Sequence, residues 1–316
     1  MTGKKIIIVI MALLLIGCAS EQTKKLMGTY VTITVYDADK DKANNAISSA
    51  FLEIERIDNL LSNYNNDSEV YLLNTQGFVE NPSEDLIANI QRARFYSNLS
   101  SGAFDITVQP LLDLYTYSFG ELQRPPNKEE ITNVLRLVNY DYIFMKEGLI
   151  LLRGQNMSIT LGGIAKGYAV DKAIEILRNS GIENALVNAG GDMKTIGTKG
   201  KDNWQIALQN PREKDEFITI IPLKDKAVVT SGDYERYFDE NKTFHHIVDP
   251  RTGYSAASLI SVTIISEHAV DADAIATSVF VLGKEKGLEL IESLDDVEGL
   301  LITREKEIVK SCGFDY

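Results

Sequence analysis

Cysteine and histidine are scarce in this chain of 316 residues, which holds two of the first and three of the second. Two cysteines cannot build a disulfide framework, and if Cys18 is modified then Cys312 is left without a partner. Two of the three histidines, His245 and His246, are adjacent, and no thiol pair accompanies them, so a zinc centre lacks ligands. Positive charge is in deficit. Lys and Arg number 32 against 45 Asp and Glu, a formal net charge of −13. Binding to a phosphate backbone normally uses a basic face, so the balance argues against nucleic acid as the main partner. Pro/Gly linkers, internal repeats and low-complexity runs are also missing, which leaves no obvious break between domains. What remains is 44% hydrophobic, enough at this length for a large core.

The N-terminus reads as an export signal. "MTGKK" supplies positive charge, and "IIIVIMALLLIG" is shorter than the roughly 20 apolar residues a spanning helix needs. It ends in the lipobox Leu15-Ile16-Gly17-Cys18. Residues 1–17 are therefore expected to be a lipoprotein signal peptide, 18–25 a lipidated polar tether, and 26–316 the folded domain. An uncleaved anchor is the alternative. Either way the body is expected outside the cytoplasm and attached to a membrane through Cys18.

Periodicity predicts a strand over Met27–Tyr36 and an amphipathic helix through Ala46, Ala50, Ile54, Ile57 and Leu61. A polar loop follows, then a helix after the N-cap Ser83, and a short helix in "NKEEITNVLRLV". The stretch 101–120 is aromatic and irregular. "YIFMKEGLILL" reads as a hairpin turning at Gly148, "MSITLGG" as a strand, and "IAKGYAVDKAIEILRNSG" as a helix ending at Gly181. "NALVNAGGDMKTIG" reads as strand, glycine turn, strand. "WQIALQN", "FITIIPL", "AVVTSG" and the β-branched "LISVTIIS" read as further strands, the last a central one. The class is α+β: one domain of mixed or antiparallel sheets with packed helices, with room for two lobes.

Five stretches can carry chemistry. "VDADAIATSVFVLG", from Val270, is a helix apolar nearly all round, and Asp273 and Thr277 stand four residues apart on one face. Carboxylate plus hydroxyl is oxygen ligation suited to Mg²⁺, but an Asp near a helix start also serves as a cap. "ITLGGIAKGYAVD" places two glycines before a helix with Lys166 in its first turn. That suits phosphate, although the spacing of a P-loop is absent and a plain tight turn is the alternative. "NAGGD" and "TSGDYERYF" offer turns with free N–H groups and the Ser231 hydroxyl. In "FHHIVDPRTG" two adjacent histidines on a strand face opposite sides, so one at most serves a given pocket as a base, and a structural role is equally open. Tyr64 and Phe104 lie where a ring could stack on a planar ligand or simply pack.

Taken in order, "MGTYVTITVY", "LSNYNNDSEV", "GAFDITVQPLLDLY", "LGGIAKGYAVD", "NAGGD", "TSGDYERYF", "HHIVDPRTGY" and "ADAIATSVFVLG" resemble the ApbE family, the FAD:protein FMN transferases. They span Met27 to Gly283. The resemblance implies a domain folded around an FAD cleft, and a Mg²⁺-dependent enzyme that splits FAD. It would join FMN to a Thr or Ser hydroxyl of an acceptor, a flavin-carrying subunit of a membrane electron-transfer complex, and release AMP. It implies Asp273, Thr277 and the Gly163 carbonyl as metal ligands and His246 as the base. It implies FAD contacts at Met27, Tyr64, Ala103, Phe104, Asp105, Thr160, Lys166, Gly190, Gly191, Ser231 and Val248. Thr160 departs from the pattern, in which many members carry Asp. Two other activities remain open: a metal-dependent FAD pyrophosphatase giving FMN and AMP, and a flavin-binding lipoprotein without chemistry.

Overall fold

The computed structural model describes residues 18–37, 39–213 and 215–316. The signal-peptide reading, on 1–17, lies outside the described residues. The described residues open not with a tether but with strand β1 (Cys18–Leu26), which pairs antiparallel along its whole length with β2 (Thr29–Asp37). Met27 and Gly28 form the turn between them, both at positive φ, so the expected strand begins two residues late.

Helix α1 (Lys40–Leu61), capped by Asp39, runs back over the sheet and buries the predicted stripe. Helix α2 (Glu69–Gln76), β3 (Phe78–Glu80) and α3 (Glu84–Leu99) follow, the last capped by Ser83 as expected. The irregular aromatic stretch contains a helix, α4 (Gln109–Gly120), and α5 (Lys128–Leu135) starts on an Asn127–Glu130 capping box. Strands β4 (Ile143–Lys146) and β5 (Leu149–Leu152) form the hairpin at Gly148 and join β3 in a three-stranded sheet. The "MSIT" run is not a sheet strand. It is held by single bonds, the Thr160 N–H to the Ile106 carbonyl at 2.7 Å and the Asn74 side chain to Ile159.

Helix α6 (Ala165–Asn179) leads into the hairpin β6 (Ala185–Ala189) and β7 (Asp192–Ile196). A second hairpin, β8 (Trp204–Gln209) and β9 (Phe217–Leu223), precedes β10 (Ala227–Gly232) and β11 (Leu259–Ser266). Helices α7 (Ala269–Leu282) and α8 (Lys284–Glu292), then β12 (Glu298–Thr303) and β13 (Ile308–Lys310), complete the chain. The main sheet has eight strands in the order β1-β2-β6-β7-β10-β11-β12-β13, each neighbouring pair antiparallel.

Every residue of β11 is buried because both faces of the sheet are covered. Val262 and Ile264 pack into the core shared with α1, α6 and α7; Ile260 and Ile265 pack under the β8–β9 hairpin with Trp204 and Ile221. A satellite cluster of Leu111, Tyr115, Ile131 and Val248 ties α4 and α5 to the loop after β10. Among the described residues no helix is long and apolar enough to cross a membrane.

Candidate active site

Helix α7 is buried on nearly all sides, and the question it raises is whether Asp273 caps the helix or faces a ligand. The cap comes from elsewhere. The Asp171 carboxylate, on α6, accepts from the N–H groups of Ala269 (3.1 Å) and Val270 (2.9 Å) at the α7 start. Asp271 pairs with Arg92 at 2.8 Å. Asp273 is left with a different partner, the Gly167 N–H in the first turn of α6, at 3.1 Å. One N–H does not compensate a carboxylate that is only 4% exposed. Burial first, and the nearby Asp192 charge second, push Asp273 up to about 7, against the pull of Lys166 and the Gly167 N–H.

Gly167 makes that contact possible. A Cβ there would stand 2.2 Å from the Ala269 carbonyl oxygen, so α6 and α7 meet backbone to backbone. Gly167→Ala is expected to force the helices apart and cost about 1–3 kcal/mol of stability, as overpacking does. Urea unfolding measures it; an unchanged midpoint would show that the helices slide without strain.

Two charge-swapped pairs lock α6 to β7. Lys166 on α6 bonds Asp192 at the start of β7, and Asp171 on α6 bonds Lys194 on β7 at 2.6 Å. Asp192 is 1% exposed, and burial works against the Lys166 ammonium, but the Asp192 and Asp273 charges outweigh it and hold the ammonium above the usual lysine range. The Gly190-Gly191 turn sets this up: Gly190 has φ +67, and a Cβ there would lie 2.3 Å from the Thr29 hydroxyl.

Thr277, one turn beyond Asp273, has its hydroxyl 3.4 Å from that of Ser231 on β10. Gly163 abuts the same place: a Cβ on it would meet the Thr277 hydroxyl at 3.1 Å and the Phe104 ring at 3.2 Å. Carboxylate, hydroxyls and glycine backbone thus converge. Among the described residues no group of three or more His, Cys, Asp or Glu gathers as a metal site. The donors that do gather are hard oxygens with one carboxylate not spent on a cation, a set that fits Mg²⁺ completed by water or phosphate oxygens and does not fit zinc.

The two histidines separate cleanly. His245 is fully buried, with one ring nitrogen 2.9 Å from the Ala256 carbonyl and the other 3.3 Å from the Ile247 N–H, so both nitrogens are occupied. His246 is half-buried, and its Nδ1 lies 2.9 Å from the Arg236 carbonyl. A carbonyl only accepts, so Nδ1 carries the proton and Nε2 is bare. Burial first, then neighbouring His245, Arg236 and Lys166 in that order, push His246 down to about 4 against the pull of the Arg236 carbonyl bond. The β1–β2 turn adjoins this corner: a Cβ on Gly28 would lie 3.6 Å from the Arg236 guanidinium, and the Met27 N–H donates to Asp58 at 2.7 Å.

Other expected contacts stand further back. Val248 belongs to the satellite core, so its side chain packs there. Ala103 is buried beside Phe104. The Asp105 carboxylate is committed to its own loop, accepting from the Thr107 N–H (2.8 Å), the Thr107 hydroxyl (2.6 Å) and the Tyr140 N–H (3.0 Å). Thr160 takes the Gly162 N–H at 3.2 Å. Tyr64 is 86% exposed, on a loop that Asn63 pins to Gln109 and the Ile159 carbonyl. Asp171, Asp192 and Arg236 lie in quoted stretches, yet the sequence reading gives them no role, since each acts through a partner that only the fold brings near.

A fixed ammonium, a carboxylate–hydroxyl helix face and an imidazole with a bare nitrogen define a class, an α+β protein built to handle a phosphate-bearing ligand. The comparisons narrow it. Residues 27–301 match the ApbE family. The FAD:protein FMN transferase of Klebsiella pneumoniae (strain 342) is 32% identical over 294 residues, covering 90% of each chain. That of Haemophilus influenzae is 32% identical, covering 91% of this chain and 89% of its own. The ApbE protein of Thermotoga maritima matches in structure with a TM-score of 0.86 at 34% identity, over 94% of this chain and 98% of that one. The flavin transferase ApbE from Vibrio cholerae gives 0.81 at 26% identity over the same shares. The chain belongs to the ApbE family.

Proposed function

We propose that this chain is an FAD:protein FMN transferase, which moves FMN from FAD to a Thr or Ser hydroxyl of an acceptor flavoprotein and releases AMP. The observation that carries the reading is that the Lys166 charge acts on both Asp273 and His246, with Thr277 one turn from Asp273 and the Nδ1 of His246 held by the Arg236 carbonyl. A pyrophosphate needs charge neutralised and a hydroxyl needs a proton removed, and these groups supply both. Asp273, Thr277 and the Gly163 backbone would hold a divalent cation, Mg²⁺ by donor type, which supplies charge neutralisation at the phosphates.

The chain's own residues do the rest. Lys166, fixed by Asp192, presents a permanent positive charge to the phosphates. His246 takes the acceptor proton on Nε2 while the Arg236 carbonyl holds Nδ1. The hydroxyl oxygen then bonds the FMN phosphorus, and the bond from that phosphorus to the bridging oxygen breaks with AMP as leaving group. The Met27 turn, Phe104, Gly190, Gly191 and Ser231 border the same region and would seat FAD. Tyr64, on its exposed loop, is available to cover the flavin.

The acceptor is read as a flavin-carrying subunit of a membrane electron-transfer complex. Cys18 is read as the lipidated residue, anchoring the enzyme to a bacterial membrane with its body on the extracytoplasmic or periplasmic side. Support for that is the lipobox in the sequence, whose cysteine is the first residue of β1.

Incubating residues 19–316 with FAD, Mg²⁺ and a flavoprotein acceptor domain tests the reaction. Acceptor heavier by one FMN, with matching AMP, is the expected result. AMP and free FMN beside unmodified acceptors would replace transfer with hydrolysis, and intact bound FAD without AMP would leave a binding protein.

The pH dependence separates two groups. A base must be neutral, and His246 is protonated only as pH falls through about 4, so it sets no acid limb near its ordinary 6.5. Asp273 must be ionised to hold a cation, and in the metal-free protein it ionises at about 7. At limiting Mg²⁺, kcat/KM is expected to rise with pH through about 7, and saturating Mg²⁺ is expected to shift that limb downward. A limb near 6.5 that ignores Mg²⁺ would return it to a histidine.

A further inference from the structure

Behind the site lies a buried ionic cluster whose two arginines, Arg212 and Arg304, fall outside every motif of the sequence reading. Asp233 is 0% exposed and follows Ser231 by two residues. Its carboxylate accepts two bonds from Arg212, at 2.9 and 2.7 Å, and lies 3.2 Å from Nη1 of Arg304. Its backbone N–H is anchored on the Ile260 carbonyl of β11 at 3.1 Å. Arg304, just past β12, reaches further. Its Nε donates to the Ala257 carbonyl at 3.2 Å, its Nη2 to the Lys242 carbonyl at 3.3 Å, and its own N–H to Ser258 at 3.2 Å.

These contacts fall on the root, the middle and the exit of one loop. That loop, between β10 and β11, has two arms closed by the Phe238 N–H to the Phe244 carbonyl (2.7 Å) and the His246 N–H to the Arg236 carbonyl (3.1 Å). The Arg236 carbonyl therefore fixes His246 twice, through its backbone and through Nδ1. The ring holds its orientation only while the arms keep their spacing, and no element of the main sheet spans them; the Arg304 side chain does.

We infer that the Arg212–Asp233–Arg304 cluster is a positioning device, which staples the two arms of the β10–β11 loop and so sets the orientation and tautomer of His246. It rests on the proposed role of His246 as base. One carboxylate between two guanidiniums suits the task, since Arg304 needs its planar fork to reach an acid and two carbonyls at once. A lysine can reach only one of the three.

Arg304→Gln and Arg304→Lys in the full domain test it, by two readouts. In Arg304→Gln, kcat for FMN transfer is expected to fall about tenfold or more, as misplacement of a reacting group does, with KM for FAD within about twofold. Arg304→Lys, which keeps the bond to Asp233, is expected to recover part of kcat. The second readout is the ¹⁵N spectrum of the imidazoles, readily assigned with three histidines in the chain. His246 is expected to show the Nδ1–H form in the wild type and an average of tautomers in Arg304→Gln. Wild-type kcat with an unchanged His246 spectrum would overturn the inference, as would kcat and FAD affinity falling together in both variants. If the wild type modifies no acceptor, the functional proposal fails, yet the spectra still decide whether the cluster governs His246.

Discussion

Asp273→Ala is expected to abolish Mg²⁺-dependent turnover, a loss of at least about 10³-fold if the cation supplies several kcal/mol of charge stabilisation. The fold should survive. Helix α7 already carries buried alanines at 269, 272, 274 and 276, and its cap is Asp171, which the substitution leaves alone. The thermal behaviour follows from the sign of the pKa shift. Asp273 goes from an ordinary 3.8 to about 7 in the metal-free fold. A carboxyl raised on folding contributes stability below its unfolded value and loses it as pH rises through the folded one. The metal-free wild type should therefore lose Tm between pH 5 and 8 faster than Asp273→Ala does. Added Mg²⁺ should reverse the order, because it stabilises whichever protein binds it and only the wild type keeps the carboxylate. Thermal scans at two pH values, with and without Mg²⁺, measure both effects. A variant that still gains Tm and turnover from Mg²⁺ would take Asp273 out of the cation site.

Local pattern made α7 readable, and the same locality left its acid ambiguous. Spacing places Asp273 and Thr277 on one face, and α7 bears that out. Spacing cannot say that the cap of α7 comes from Asp171, 98 residues before Ala269, so ligand and cap looked alike. Lys166 was conspicuous by its position after two glycines, but its partner Asp192 is fixed by a hairpin turn that the sequence marks only as a turn. Residues 19–25 looked like a tether because their side chains are polar and mostly exposed. An edge strand is held by backbone bonds to its neighbour, which leave no hydrophobic signature. Helix α4 was missed for a related reason: its Leu and Tyr residues serve a separate small core rather than one continuous stripe. The histidine pair was legible as two opposed side chains, but which one is free depends on the Arg236 and Ala256 carbonyls, and those are brought in by the loop.

His246→Gly is expected to bind FAD with affinity close to wild type and to lose transfer by about 10²–10⁴-fold, the usual worth of a positioned general base. The argument is geometric. The ring donates through Nδ1 to the Arg236 carbonyl and turns Nε2 outward, where its low proton affinity keeps it unprotonated across the neutral range. Removing it leaves Lys166 with its partner Asp192, and Asp273 and Thr277, in place, and these are the groups proposed to serve the phosphates rather than the acceptor hydroxyl. The deficit should therefore sit in kcat for transfer, with KM for FAD little changed, and added imidazole should restore part of it by reoccupying the vacated space. Substitution of His245 should behave in the opposite way. That ring is buried, with both nitrogens bonded to its own loop, so its loss should lower Tm and disturb FAD binding and transfer together. Intact-mass assays of the acceptor and fluorescence titration of FAD, run on the two variants side by side, separate a base from a strut. Collapse of FAD affinity in His246→Gly would make His246 a ligand contact, and transfer at the wild-type rate would end its role as base.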